Sequence, residues 1–112
     1  MKREFRLTRS RDIKRVRETG KTVHHPLVVL VYSASDEPKI RIAVVASKAI
    51  GNAVTRNLVK RRLKSCLAPH TAAIKGNTDL VIYARKGIVQ ANFEEICLAI
   101  TDLLTRADLL EN

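Results

Sequence analysis

An α+β fold in one domain, in the order helix, strand, strand, strand, helix, strand, helix, is predicted by three features of the chain. Short runs rich in Val, Ile and Leu at residues 22–33, 39–47 and 79–85 have the length and β-branched content of strands. Residues 10–19, 53–67 and 93–107 instead repeat apolar or charged side chains every three to four positions, the spacing of helices. The 112 residues, 46% hydrophobic, contain no internal repeat and no linker, which fits a single domain over 1–112 with a modest core and a flexible basic arm at about 1–8.

The first helix is expected to start near Ser10, a possible cap, with Asp12 in its first turn and Gly20 at its end. Pro26 lacks the amide that a central ladder would use, so residues 22–33 divide into a short edge strand and a longer strand at 27–32. Ser35-Asp36-Glu37-Pro38 reads as a turn, and 39–47 ends in the small apolar run Ile42-Ala43-Val44-Val45-Ala46, which fits a strand buried on both faces near its end. Asn52 can cap the helix at 53–67, with Pro69 beyond it. After a strand at 79–85, Asn92-Phe93-Glu94-Glu95 has the three-residue step of a capping box. In the last helix Phe93, Ile96, Cys97, Ile100, Leu103, Leu104 and Ala107 form the apolar stripe, leaving Glu94, Asp102 and Asp108 outward. Cys66 and Cys97 both fall on apolar helix faces and are expected as reduced thiols acting as small hydrophobes.

The net charge of +10 is placed rather than spread. Residues 1–21 hold nine Lys/Arg against three acids, residues 39–64 hold eight against none, and residues 87–112 hold one against five. Solubility alone does not require a zone of 26 residues without a carboxylate, so the pattern points to a polyanion met on one side of the fold. At 100° per residue, Arg56, Asn57, Lys60, Arg61 and Lys64 share one side of the central helix, and Leu58, Val59, Leu63 and Cys66 the other. Arg62 falls among the apolar positions.

Residues suited to catalysis are few. His24 and His25 are neighbours on an extended segment, where adjacent side chains point apart, and no Cys or acid stands at zinc-site spacing from them or from His70. Asp12, Asp36, Glu37 and Asp79 lie on separate elements, so no carboxylate cluster for two-metal hydrolysis is visible, and neither a nucleophile elbow nor a glycine-rich phosphate loop is present. No protein-bound metal or other cofactor is expected. No run approaches the roughly 18 apolar residues that span a bilayer, and the start Met1-Lys2-Arg3-Glu4-Phe5-Arg6 lacks the apolar stretch of a secretory signal, which gives a cytoplasmic protein without a membrane partner as the expectation.

The stretch from Ala46-Ser47-Lys48 through Gly51-Asn52 to Arg56-Asn57 and Lys60-Arg61-Arg62-Leu63-Lys64 resembles the signature of the protein subunit of bacterial ribonuclease P. Leu7-Thr8 with Asp12-Ile13, Gly20-Lys21, the run from Asp79 to Arg85 and Phe93-Glu94-Glu95 agree with it, so the resemblance covers about residues 5–107. It implies a two-layer α+β sandwich similar to the second domain of ribosomal protein S5, with a left-handed βαβ crossover, where general chain logic would assign a right-handed one. It also implies a subunit, monomeric as a protein, that joins a catalytic RNA and precursor tRNA. The complex removes the 5′ leader endonucleolytically to leave a 5′-phosphate, with the chemistry carried by the RNA and its Mg²⁺.

Carried over residue by residue, the resemblance makes Lys48, Asn52, Arg56, Asn57, Lys60, Arg61 and Lys64 RNA contacts, with Arg9, Arg11, Ile13, Arg17 and Arg62 as possible further RNA or leader contacts. Two positions depart from the family pattern. Leu58 stands where the family often has the second arginine of an Arg-Asn-Arg motif, and Ile13 and Arg17 stand where aromatic side chains commonly line the leader cleft, so leader binding here should lean on charge. A structural protein of ribosomal RNA would share the basic face without assisting cleavage. A standalone basic nuclease would need a carboxylate cluster to hold its metals.

Overall fold

The computed structural model describes residues 2–111. The elements follow the predicted order: α1 (Ser10–Thr19), β1 (Lys21–His24), β2 (Val28–Ala34), β3 (Arg41–Val45), α2 (Ala53–Leu67), β4 (Thr78–Ala84) and α3 (Phe93–Arg106). The sheet runs β1-β2-β4-β3, with β1, β2 and β4 antiparallel and β3 parallel to β4. Pro26 sits in the tight connection between β1 and β2, where the missing amide breaks no ladder bond. The unit β3-α2-β4 is the crossover that carries the basic helix.

Strand alternation sorts the side chains onto two faces. Val28, Leu30, Ile42, Leu80 and Ile82 form a continuous core with Val59, Leu63 and Leu67 of α2 and Ile96, Ile100, Leu103 and Leu104 of α3. This is the two-layer sandwich. On the other face a smaller cluster joins Val31, Ala43 and Val81 to Val16 of α1 and to Leu7, so α1 adds a partial third layer. Its close approach to the sheet depends on Gly20, where a Cβ would lie 2.5 Å from the Val16 carbonyl oxygen and 2.6 Å from that of Tyr32.

Two helix starts are as their sequences dictate. Asn52 accepts from the Thr55 N–H at 2.9 Å, and Asn92 and Glu95 close a reciprocal capping box at 2.8 and 3.0 Å. The start of α1 differs from expectation: Arg9 is the extended residue before it, Ser10 is already helical, and no side chain caps the end.

The cysteines correct the sequence reading. Cys66 and Cys97 are joined in a disulfide, with their Cα atoms 4.9 Å apart. Each was placed properly on an apolar face, but α2 and α3 pack against each other, so the two faces are one interface. Helical periodicity locates a face and says nothing about which other helix meets it.

Candidate nucleic-acid interface

Helix α2 divides along its length as the charge pattern requires. Val59, Leu63, Cys66 and Leu67 are buried, Leu63 completely, while Asn57 and Arg61 are exposed. Arg56, Lys60 and Lys64 form a half-exposed row beside them, stacked at i,i+4. Leu58 and Arg62 are half-buried at the flanks. No Asp or Glu comes within ion-pair distance of Arg56, Lys60, Arg61, Arg62 or Lys64 among the described residues. Repulsion along the stripe, a few tenths of a kcal/mol per i,i+4 pair, is therefore left without internal relief.

The turn before α2 is built to tight tolerances. Gly51 adopts φ 152°, a conformation that strains any residue with a side chain, and a Cβ there would sit 3.2 Å from the Thr55 side chain. Asn52 uses its side-chain oxygen as the helix cap, which leaves its amide hydrogens as the group it can offer outward. Lys48 is exposed in the preceding 3₁₀ turn. Beside this turn Ser47, Arg85 and Lys86 line a groove without carboxylates. Arg85 and Lys86 extend the basic surface at the ends of β3 and β4. They went unassigned in the sequence reading because they stand outside both cation-rich segments.

The other cations fall into a different arrangement. Arg9 and Arg11 line a groove whose walls also hold Asp12, Asp36 and Glu37, so its sign is mixed. Below it the carboxylate of Asp79, completely buried, accepts from Arg15 Nη2 at 2.6 Å and from Arg41 Nε and Nη2 at 2.9 and 2.7 Å. Arg41 also stands 3.7 Å from Asp12. Its hydrogen bond to Asp79 holds the Arg41 guanidinium above its ordinary value, against the burial that would lower it. Arg15 and Arg41 thus pin α1 to β3 and β4.

On the α1 side of the sheet Val29, Tyr83 and Val45 lie in one cross-strand row, half-buried, with Ile13 beside them. Arg17 is exposed on α1. Tyr83 is the only aromatic in this cluster, since Phe5 and Tyr32 pack on the opposite core and Phe93 is at the exposed start of α3. The acidic side chains Glu94, Asp102 and Asp108 are exposed on and just after α3, away from the α2 stripe. Among the described residues no three His, Cys, Asp or Glu side chains group in a way that could hold a metal ion.

Against known proteins, residues 1–108 match the family model described as Ribonuclease P. The chain is 36% identical over 109 residues to the ribonuclease P protein component of Herpetosiphon aurantiacus, covering 97% of this chain and 89% of that protein. It is 34% identical to that of Halalkalibacterium halodurans, covering 99% and 94%. Among solved structures it is similar to the Staphylococcus aureus RNase P protein at TM-score 0.89 and 23% identity, covering 96% and 98% of the two chains. The Thermotoga maritima RNase P protein superposes at TM-score 0.82 and 23% identity, covering 90% and 96%.

Proposed function

The chain belongs to the bacterial ribonuclease P protein family, and from that premise we propose which parts of its surface carry the family's work. As the protein subunit of ribonuclease P it assists the RNA-catalysed removal of the 5′ leader from precursor tRNA. The observation that carries the residue-level reading is the α2 stripe, a row of cations with no carboxylate partner on a helix whose opposite face is buried. A polyanionic substrate meeting a polyanionic catalyst is opposed by repulsion between their phosphates. Cations held at the junction relieve it, with release of the counterions that the RNA had condensed.

Arg56, Lys60 and Lys64 follow a phosphate backbone, with Asn57 and Arg61 in the neighbouring row. Asn57 adds an amide that both donates and accepts, which a cation cannot do. Lys48 and the Asn52 amide continue the surface over the turn. Arg17 and Arg62 take flanking phosphates, and Ile13 borders the row beneath α1. Arg9 and Arg11 are the weaker candidates, because Asp12, Asp36 and Glu37 share their groove.

We assign the Mg²⁺ of the reaction to the RNA. The carboxylate that lies deepest in the fold, Asp79, is already held by Arg15 and Arg41 and has no exposed surface. We take the subunit to be a monomer acting as a single domain, a reading supported by one four-stranded sheet that carries both core clusters. No helix of the described residues is long and apolar enough to cross a membrane, and we place the protein in the cytoplasm with its RNA partners.

Reconstitution with the cognate RNA and precursor tRNA at low Mg²⁺ tests this reading. The parent protein should raise cleavage well above RNA alone, and Arg56→Ala combined with Lys60→Ala should remove most of that gain without lowering the unfolding midpoint. A double variant as effective as the parent would overturn the assignment of the stripe. A protein that instead copurified with ribosomes and gave no gain would be a structural rRNA binder.

A further inference from the structure

Helix α3 has a different neighbour on each side. Cys97 and Thr101 face α2 and the turn that follows it, through the disulfide to Cys66 and a Thr101 hydroxyl 3.2 Å from His70 Nε2. Glu95, Ala99 and Asp102 face the β1–β2 connection instead, across a groove of about 470 Å³. The α2 stripe is separated from this groove by α3 itself.

The groove is apolar. Ala99 is buried and Leu27 half-buried within it, Pro26 is exposed, and Leu98 stands on the α3 wall with 63% of its surface exposed. The β1–β2 wall is held by the Leu27 N–H, which donates to His25 Nδ1 at 3.0 Å. Single exposed leucines are ordinary on protein surfaces. Leu98 differs in its surroundings, because its neighbours three and four positions away on the helix are Glu94, Glu95, Thr101 and Asp102. All three acids are exposed, and no Lys or Arg lines the groove. Asp102 accepts from Arg106 Nε at 3.0 Å, but Glu94 and Glu95 have no cationic partner among the described residues. Acids suit the first turn of a helix, and Glu95 serves the capping box. Neither role explains an apolar groove with a leucine at its rim.

A partner could not be held here by adding a strand. The β1 edge beside the groove is closed at His24, whose carbonyl accepts from Arg106 Nη2. The opposite edge, β3, is partly covered by the N-terminal arm, where Arg6 bridges Ile42 and the Leu7 N–H donates to the Ile42 carbonyl at 2.9 Å. Recognition in the groove therefore falls to side chains.

We propose that this groove is a docking site for another protein, and that its occupant is a segment with Lys or Arg on both sides of a bulky apolar side chain. The apolar side chain packs on Leu98, Leu27 and Pro26, and the flanking cations meet Glu94 and Glu95. Charge complementarity selects this occupant: the phosphates of RNA or of a lipid surface are repelled by the three carboxylates. Pro26 also borders the neighbouring groove that holds Arg85 and Lys86. A partner's cations are drawn toward α3 and repelled from that side, which fixes the orientation of the segment. With α3 between the groove and α2, the partner adds to the RNA-bound protein and does not displace the RNA.

The probe is a synthetic helical peptide with leucines along one face and lysines beside them, titrated into the isotope-labelled full chain. Saturable amide shifts should fall at residues 25–27 and 94–102. Leu98→Gln should weaken binding by roughly fivefold to tenfold, and Glu94→Gln combined with Glu95→Gln by roughly threefold to fivefold, with the glutamine at position 95 keeping an oxygen for the cap. No saturable shift in these residues, equal binding by the parent and the variants, or equal binding of a peptide with glycine in place of leucine would overturn the site. A parent protein that formed a dimer dispersed by Leu98→Gln would also overturn it, since a second copy would then fill the groove. The reconstituted holoenzyme supplies a separate readout. Leu98→Gln should leave the gain in cleavage over RNA alone unchanged. A reduced gain with an unchanged unfolding midpoint would place the groove on the RNA surface and overturn the assignment of a protein partner.

Discussion

Arg15 and Arg41 lie on one side of the sheet and Arg56 and Arg61 on the layer beyond its other side, yet the two sets of cations are put to opposite uses. The first pair is closed within the protein by one fully buried carboxylate, Asp79, at 2.6 to 2.9 Å. The second has no acidic partner among the described residues. Net charge counts all four alike. What distinguishes a structural arginine from one reserved for a polyanion is whether the fold supplies its counter-charge: Asp79 does so for Arg15 and Arg41, and among the described residues no acid does so for Arg56 or Arg61.

The largest effect should come from opening the closed set. Arg41→Ala leaves Asp79 buried with Arg15 alone, and removing one partner of a buried pair typically costs about 3–5 kcal/mol. Urea unfolding should show a loss near the lower end of that range, because Arg15 remains. A loss well under about 1 kcal/mol, the usual worth of an exposed pair, would mean that water reaches the cluster and that the contrast with α2 is one of degree.

The second effect concerns how α2 is held in place. The 31-residue separation between Cys66 and Cys97 implies, in the chain-entropy account, about 3–4 kcal/mol of stabilisation relative to the open chain. A Cys66→Ala/Cys97→Ala variant should therefore unfold at lower denaturant than the oxidised protein, and reductant should lower the parent toward the variant. Reducing cytoplasm opposes such bonds, so the thiol state in cells deserves a direct mass measurement. RNA affinity of the folded variant should match the parent, since Cys66 and Arg61 are on opposite sides of the helix. Loss of affinity with an unchanged fold would show that the open set depends on the staple.

What the sequence made legible was local. The α2 stripe, its buried opposite face, the Asn52 cap and the Asn92–Glu95 box all follow from spacing within one element, and the structure places each where that spacing says. Fold and family followed from the fixed register of Lys48, Gly51, Asn52 and the cations of α2. Partnerships across the fold were not legible. The Asp79 cluster joins residues 38 and 64 positions apart, the disulfide joins two helices, and the arm's seat on β3 involves residues without periodicity. In each case a side chain's chemistry was visible and its partner was not.

The smallest effect on stability, and the most direct comparison of a paired with an unpaired cation, comes from two exposed helix positions. Lys14 lies 3.8 Å from Glu18 on α1, whereas Arg61 has no carboxylate near it on α2. Both substitutions to Ala should change stability by no more than about 0.5 kcal/mol, since exposed changes away from special features seldom do more. Their RNA binding should differ. If Arg61 neutralises one phosphate, Arg61→Ala lowers affinity for the catalytic RNA and reduces the slope of log affinity against log salt by about 0.7–0.9. Lys14, whose charge is partly answered by Glu18, should leave that slope unchanged when removed. The measurement is a salt titration of binding for the parent and both variants. Equal slopes for all three would show that an unpaired cation on α2 is no more committed to RNA than a paired one on α1, and the sorting of cations by their partners would fail.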